Sequence, residues 1–116
     1  MADVARIVLG GTEFRDDEPS HALLDLFVER GGRALDLANV YTDGKSEHVV
    51  GRWLAREDRA VSLYVKGCHP PRCAPELVGD EVEIALTRLG VETLDVFALP
   101  SYANEGVPQA LLQAMF

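Results

Sequence analysis

GGRALDLANVYTDGKSEHVVGRWL, residues 31–54, is the stretch whose reading decides the fold. Gly31-Gly32 suits the end of one helix and the start of an extended segment. Arg33-Ala-Leu-Asp-Leu37 then reads as a strand, short and apolar apart from Asp36. Gly44-Lys-Ser46-Glu47 reads as a loop running into a helix N-cap. Beyond it, Val49, Val50, Trp53 and Leu54 recur at the spacing of one helical face. Strand, loop and helix in so short a span make one βα unit.

The same pattern repeats on both sides. Upstream, Arg6-Ile-Val-Leu9 is an apolar run closed by Gly10-Gly11, a strand and its turn. Asp17-Glu-Pro19 opens a helix, with proline suited to the first turn and Leu23, Leu24, Phe27 and Val28 as its inward stripe. Downstream, Val61-Ser-Leu-Tyr-Val65 predicts a strand that runs out at Lys66. After the loop Gly67 to Ala74, Pro75 starts a helix with Val78, Val82, Ala85, Leu86 and Leu89 inward and Gly90 as its stop. Leu94-Asp-Val-Phe-Ala-Leu99 predicts a fourth strand, and Pro108 begins a fourth helix. Alternation at this length implies an α/β fold with a parallel sheet and right-handed crossovers. With no linker visible, residues 1–116 read as a single domain.

The bulk properties narrow the partners. The chain has 116 residues, 47% of them hydrophobic and 26% charged, and a net charge of −8 from 19 acidic and 11 basic side chains. Nucleic acid and anionic membrane both demand a basic face, so neither is expected as a partner. The N-terminus lacks the apolar core and cleavage site of a signal peptide, and no run approaches transmembrane length, so a cytoplasmic location is expected. Cys68 and Cys73 have only His69 nearby, too few ligands for zinc, and read as free thiols.

Parallel sheets place ligands at the carboxyl ends of their strands. Asp36, Lys66 and, in the loop just after the second strand, Tyr41 can all share that face. Tyrosine is a poor acid near neutral pH, but a lysine ammonium about 4 Å away favours the phenolate by up to ~4 kcal/mol at an effective dielectric of 20, or roughly three pKa units. A carboxylate beyond the lysine keeps the ammonium charged and oriented. Such a unit can protonate an oxygen that becomes negative during reaction, as in carbonyl reduction by hydride. The same residues also allow a plainer reading, in which Asp36 and Lys66 form a salt bridge between strand ends and Tyr41 packs on a helix.

Residues 31–54 resemble the aldo-keto reductase signature: a Gly-Xaa-Arg strand ending in Asp-Thr-Ala, then a Tyr, then Gly-Xaa-Ser-Glu and a helix. Val65-Lys66-Gly67-Cys-His69-Pro70 is similar to that family's third-strand lysine and following loop. Glu81 to Gly90 followed by Leu94-Asp95-Val-Phe is similar to its next helix and strand. The resemblance implies about half of a (β/α)8 TIM barrel, the first four βα units, and NADPH-dependent reduction of small aldehydes and ketones. It makes Tyr41 the general acid tuned by Lys66 and Asp36, and it sets Gly11, Thr12 and Asp36 at the nicotinamide end of the cofactor.

Two departures qualify the resemblance. The family's histidine at the end of the fourth strand is replaced by Leu99-Pro100-Ser101, leaving Ser101, Tyr102 or His69 as substitutes; His21 and His48, at helix starts, read as surface residues. A complete barrel takes about 250 residues, and the family's phosphate-holding loops follow its last strands. A four-unit sheet would expose two edges and an apolar inner face, inviting pairing with itself or another chain. The alternatives are therefore a truncated reductase, a non-catalytic half-barrel interaction module, and an unrelated open sheet of flavodoxin type.

Overall fold

A computed structural model of the chain describes residues 5–56 and 60–99. Within them lie β1 (Leu9–Gly10), α1 (Asp17–Glu29), β2 (Ala34–Ala38), α2 (Lys45–Arg56), β3 (Ser62–Lys66), α3 (Val78–Leu89) and β4 (Val96–Ala98). Short 3₁₀ turns cover Tyr41–Gly44 and Pro75–Leu77. The strands form one parallel sheet in the order β1-β2-β3-β4, with Gly10, Asp36, Tyr64 and Val96 in register. Each strand lies beside its predecessor. A flavodoxin-type sheet reverses direction after its first strand, so the order excludes that alternative. The helix expected from Pro108, together with Pro100, Ser101 and Tyr102, lies outside the described residues.

The core sits between the sheet and the helices. Leu35, Leu37, Leu63 and Val65 project from the strands onto Leu24, Val49, Val50, Trp53, Ala85 and Leu89. Ala34 and Ala38 are also fully buried, so four of the five β2 residues are inaccessible to water. This is the near-continuous apolar run of a strand covered on both faces. The helices end where glycine permits it: Gly31 (φ +94°) follows α1, and Gly90 (φ +65°) caps α3, with the Val91 amide donating to the Leu86 carbonyl at 3.1 Å.

Several local expectations are corrected. The first strand is Leu9–Gly10 rather than Arg6–Leu9, and Ile7 is 73% exposed. In the β1–β2 register, residues 6 and 7 fall opposite Gly32 and Arg33, before β2 begins, and find no ladder partner. Leu23 is 46% exposed, because α1 turns Leu24, Phe27 and Val28 inward and leaves Leu23 and Leu26 on its flank. Ser46 lies inside the first turn of α2, where its hydroxyl donates to the Gly11 carbonyl at 2.7 Å instead of capping the helix. His21 is buried between α1 and α2: its Nε2 donates to the Val49 carbonyl at 2.8 Å, which leaves Nδ1 to accept from Arg56 at 3.3 Å. His48 is exposed, as its position suggested. No helix among the described residues is long and apolar enough to cross a membrane.

Helices α2 and α3 touch at Gly51, where a Cβ would lie 2.3 Å from the Arg88 carbonyl oxygen. The obstacle is the backbone of a packed helix, so Gly51→Ala should cost about 3 kcal/mol in strain against a gain of about 1 kcal/mol in helix propensity. A net loss of about 2 kcal/mol is expected from urea unfolding. An unchanged midpoint would contradict this helix packing.

Candidate active site

Asp36 is the third of five residues in β2, and Lys66 is the last of β3. The parallel register sets Asp36 opposite Tyr64 and Ala38 opposite Lys66, so Asp36 and Lys66 are diagonal neighbours on one face. Their side chains form an ion pair, with Lys66 Nζ donating to Asp36 Oδ1. Asp36 therefore sits two residues inside the strand, not at its end. Tyr41 follows in the turn after β2, and the Lys66 ammonium lies 5.2 Å from the centre of its ring. The structure thus brings together all three residues singled out from the sequence. Burial works against the charge on Lys66, but hydrogen bonding to Asp36 and Tyr41 outweighs it and raises the lysine pKa. The ammonium is held charged beside the phenol.

Tyr41 stands in an unusual turn. Thr42 (φ 49°) and Asp43 (φ 55°) are both left-handed, and Gly44 follows at φ +88°. Left-handed non-glycine residues persist only where their surroundings hold them. Here the Thr42 hydroxyl donates to the Phe14 carbonyl at 3.0 Å, and the Asp43 amide donates to the Val40 carbonyl at 3.1 Å. At the entry to the turn, the Asn39 amide donates to the Lys66 carbonyl at 2.9 Å, coupling the turn to the lysine's own backbone.

Gly11 is buried, with its amide donating to Asp36 and its carbonyl accepting from Ser46. A Cβ on it would lie 2.5 Å from a Leu37 methyl, so core packing accounts for the glycine. Thr12, beside it, is exposed. His69 is half-buried on the loop after β3, and its Nδ1 has no partner among the described residues. Burial, with the nearby Lys66 charge, prevails over Glu81 and lowers its pKa, which favours the neutral ring. Cys68 is buried, Cys73 half-buried, and both are free thiols.

Sequence reasoning missed a network beneath this face. Glu81 of α3 is buried, accepting from Asn39 Nδ2 at 2.6 Å and from the Cys68 amide at 3.4 Å, and it pairs with Arg72. Glu47 of α2 is fully buried and accepts from Arg88 at 3.0 Å. The same Arg88 nitrogen donates to the Asn39 carbonyl at 2.9 Å. The signal was available. Glu47 precedes Val50 and Gly51 by three and four residues, and Glu81 precedes Ala85 by four, so both carboxylates stand on inward stripes.

Residues 6–103 match the family model described as Aldo/keto reductase family. The chain belongs to the aldo/keto reductase family. An NADP(+)-named aryl-alcohol dehydrogenase of Phanerodontia chrysosporium is 49% identical over 45 residues, which cover 38% of this chain and 12% of that protein. An uncharacterised 11.2 kDa protein of Pseudescherichia vulneris is 36% identical over 73 residues, covering 52% of this chain and 71% of that one. Among solved structures, an aldo/keto reductase from Klebsiella pneumoniae in complex with NADP and acetate superposes with a TM-score of 0.76 at 25% identity, covering 93% of this chain and 39% of that chain. The described residues therefore form the β1–β4 part of an aldo/keto reductase barrel, and the chain spans less than half the length of that reductase.

The two buried glutamates respond to their surroundings in opposite directions. For Glu81, burial pushes the pKa up, but hydrogen bonds from Arg72, Asn39 and the Cys68 amide prevail and lower it. For Glu47, burial dominates over Arg88 and raises it. Glu81 thus adds stability above its ordinary value of 4.5, lost as pH falls through the lowered value. Glu47 does the reverse: its contribution is full below 4.5 and is lost as pH rises through the raised value. Glu81→Gln should cost about 1–3 kcal/mol at neutral pH and flatten the acid-side loss of stability. An acid limb as steep as the parent's, in urea unfolding across pH, would rule this out.

Proposed function

We propose that this aldo/keto reductase chain carries the proton-donating part of an NADPH-dependent carbonyl reductase acting on small aldehydes or ketones. The observation that supports it most directly is the Lys66 ammonium, paired with Asp36 and lying beside the Tyr41 ring at the carboxyl end of the sheet. In this reading the Tyr41 hydroxyl donates its proton to the carbonyl oxygen as that oxygen gains negative charge. Lys66 stabilises the phenolate left behind, and Asp36 keeps Lys66 charged and oriented. NADPH, when bound, supplies the hydride.

The residues present fit the nicotinamide end of such a cofactor: the exposed Thr12 and the partly exposed Asp36 carboxylate stand on the same end of the sheet as Tyr41. Gly11 supports them from within the core. The neutral His69 on the adjacent loop is a second polar group near Lys66. This reading places the chemistry in the cytoplasm, where Cys68 and Cys73 remain thiols.

A second reading, a half-barrel that pairs with another copy or another chain, rests on a separate observation. Among the described residues, β1 and β4 pair on one side only. Exposed apolar side chains stand on the elements at those margins, Ile7 and Val8 before β1, Leu23 and Leu26 on α1 and Val96 on β4, with Val40 after β2 exposed as well. An unpaired edge flanked by apolar surface is a site for association. Sedimentation of the 116-residue chain should then show a dimer or higher species at micromolar concentration, and a monomer throughout would sink the pairing.

The catalytic reading is tested by NADPH fluorescence titration followed by turnover of small carbonyl compounds. Tyr41→Phe should leave NADPH binding intact and lower turnover by about 10²–10⁴-fold, the usual scale for losing a positioned general acid. An undiminished rate in that variant would refute the assignment of Tyr41.

A further inference from the structure

We propose that Arg88, on α3, is the positioning residue for Tyr41, acting by holding both ends of the turn that carries it. This deepens the catalytic reading above and rests on it. Three contacts of one guanidinium converge on the turn. At its entry, Arg88 Nη1 donates to the Asn39 carbonyl at 2.9 Å, two residues before Tyr41. Beyond its exit, the same nitrogen donates to Glu47 Oε1 at 3.0 Å. At the exit itself Gly44 lies directly against the guanidinium: a Cβ there would sit 2.8 Å from Arg88 Cζ. The chain from Asn39 to Glu47 is therefore wrapped around a single planar group.

The turn needs such a template. Thr42 and Asp43 are left-handed without being glycine, a conformation that relaxes unless it is over-determined. The crest is held by the Thr42 hydroxyl on Phe14, and within the turn the Asp43 amide donates to the Val40 carbonyl and the Lys45 amide to the Tyr41 and Thr42 carbonyls. Arg88 adds the brace from outside the turn, and through Asn39 it ties the turn to Lys66, because the Asn39 backbone amide is bonded to the Lys66 carbonyl. A lysine at position 88 would keep the charge but not the planar group that lies flat against Gly44 while reaching both acceptors.

The competing account is that Arg88 only ties α2 to α3 through Glu47. The two accounts separate in the paired variant Arg88→Met with Glu47→Gln, which removes the buried carboxylate charge that Arg88→Met alone would strand. Two readouts independent of catalysis follow the turn: hydrogen exchange at the Asp43 amide, and the ¹⁹F resonance of 3-fluorotyrosine at position 41, with Tyr64→Phe and Tyr102→Phe simplifying the spectrum. Lys66→Met should shift that resonance and so identify it. In the paired variant, exchange at Asp43 should accelerate at least tenfold and the resonance should move towards its unfolded position, while β2 and α3 amides stay within about twofold of the parent. Parent-like exchange and an unmoved resonance would overturn the proposal. Acceleration spread equally over β2 and α3 would overturn it too, in favour of simple helix cohesion. Where turnover is measurable, the paired variant should lose kcat with KM little changed. If Tyr41→Phe proves to have no effect on turnover, the catalytic reading fails while the exchange and ¹⁹F results still decide whether Arg88 places this residue.

Discussion

A carboxylate in the middle of β2 has to be reconciled with four neighbours that see no water. Leu35 and Leu37 face the helices, while Ala34 and Ala38 face the other side with Asp36, whose side chain stays 45% exposed. The parallel register resolves this by setting Lys66 diagonally across from Asp36 on the same face. A slip of one residue between β2 and β3 would turn Leu63 and Val65 away from the helices and part Lys66 from Asp36. The apolar face therefore fixes the strand register, and the register in turn fixes where the ammonium stands relative to the turn that follows β2. Fold and site are set by the same register.

Behind that face, two glutamates divide the work by environment. Glu81 gathers donors from α3's neighbours, Asn39, Arg72 and the Cys68 amide, and is stabilised as an anion. Glu47 has one cation and a second oxygen with no partner among the described residues, and burial prevails over its pairing. Replacing a buried pair with apolar groups often costs little, so the Glu47–Arg88 pair is better explained by geometry than by stability. What it specifies is the path of the backbone from Asn39 to Gly44. The two networks meet at Asn39, whose side chain is held by Glu81 and whose carbonyl is held by Arg88.

Much of this was legible in the residues. The βα alternation, the glycine stops at Gly31 and Gly90, and the apolar faces of α2 and α3 follow from local periodicity and turn chemistry. Asp36, Tyr41 and Lys66 stood out because polar residues close to the ends of apolar runs are conspicuous. The errors fall where tertiary partners decide. His21 reads as a surface residue from its helix position, yet α2 closes over it. Arg6 and Ile7 read as strand from composition, yet the neighbouring strand starts too late to pair with them. Arg88 was invisible for a different reason: an arginine late in a helix looks like a solvent-facing complement to the dipole, and its decisive partner is a backbone carbonyl, which leaves no mark in a sequence.

The arrangement is also local in a way that bears on the family's chemistry. Every group named here that places Tyr41 against Lys66 comes from β2, the turn after it, α2, α3 or the loop after β1: Asp36, Asn39, Gly44, Glu47 and Arg88, with Phe14 beneath the crest. None of these contacts calls on a strand beyond the four described. Tyr41 and its electrostatic partner Lys66 are thus organised within the β1–β4 part of the barrel. The turn that carries Tyr41 and the strand that carries Lys66 are held by one contiguous set of contacts, which meet at Asn39: its amide binds the Lys66 carbonyl, its side chain binds Glu81 and its carbonyl binds Arg88.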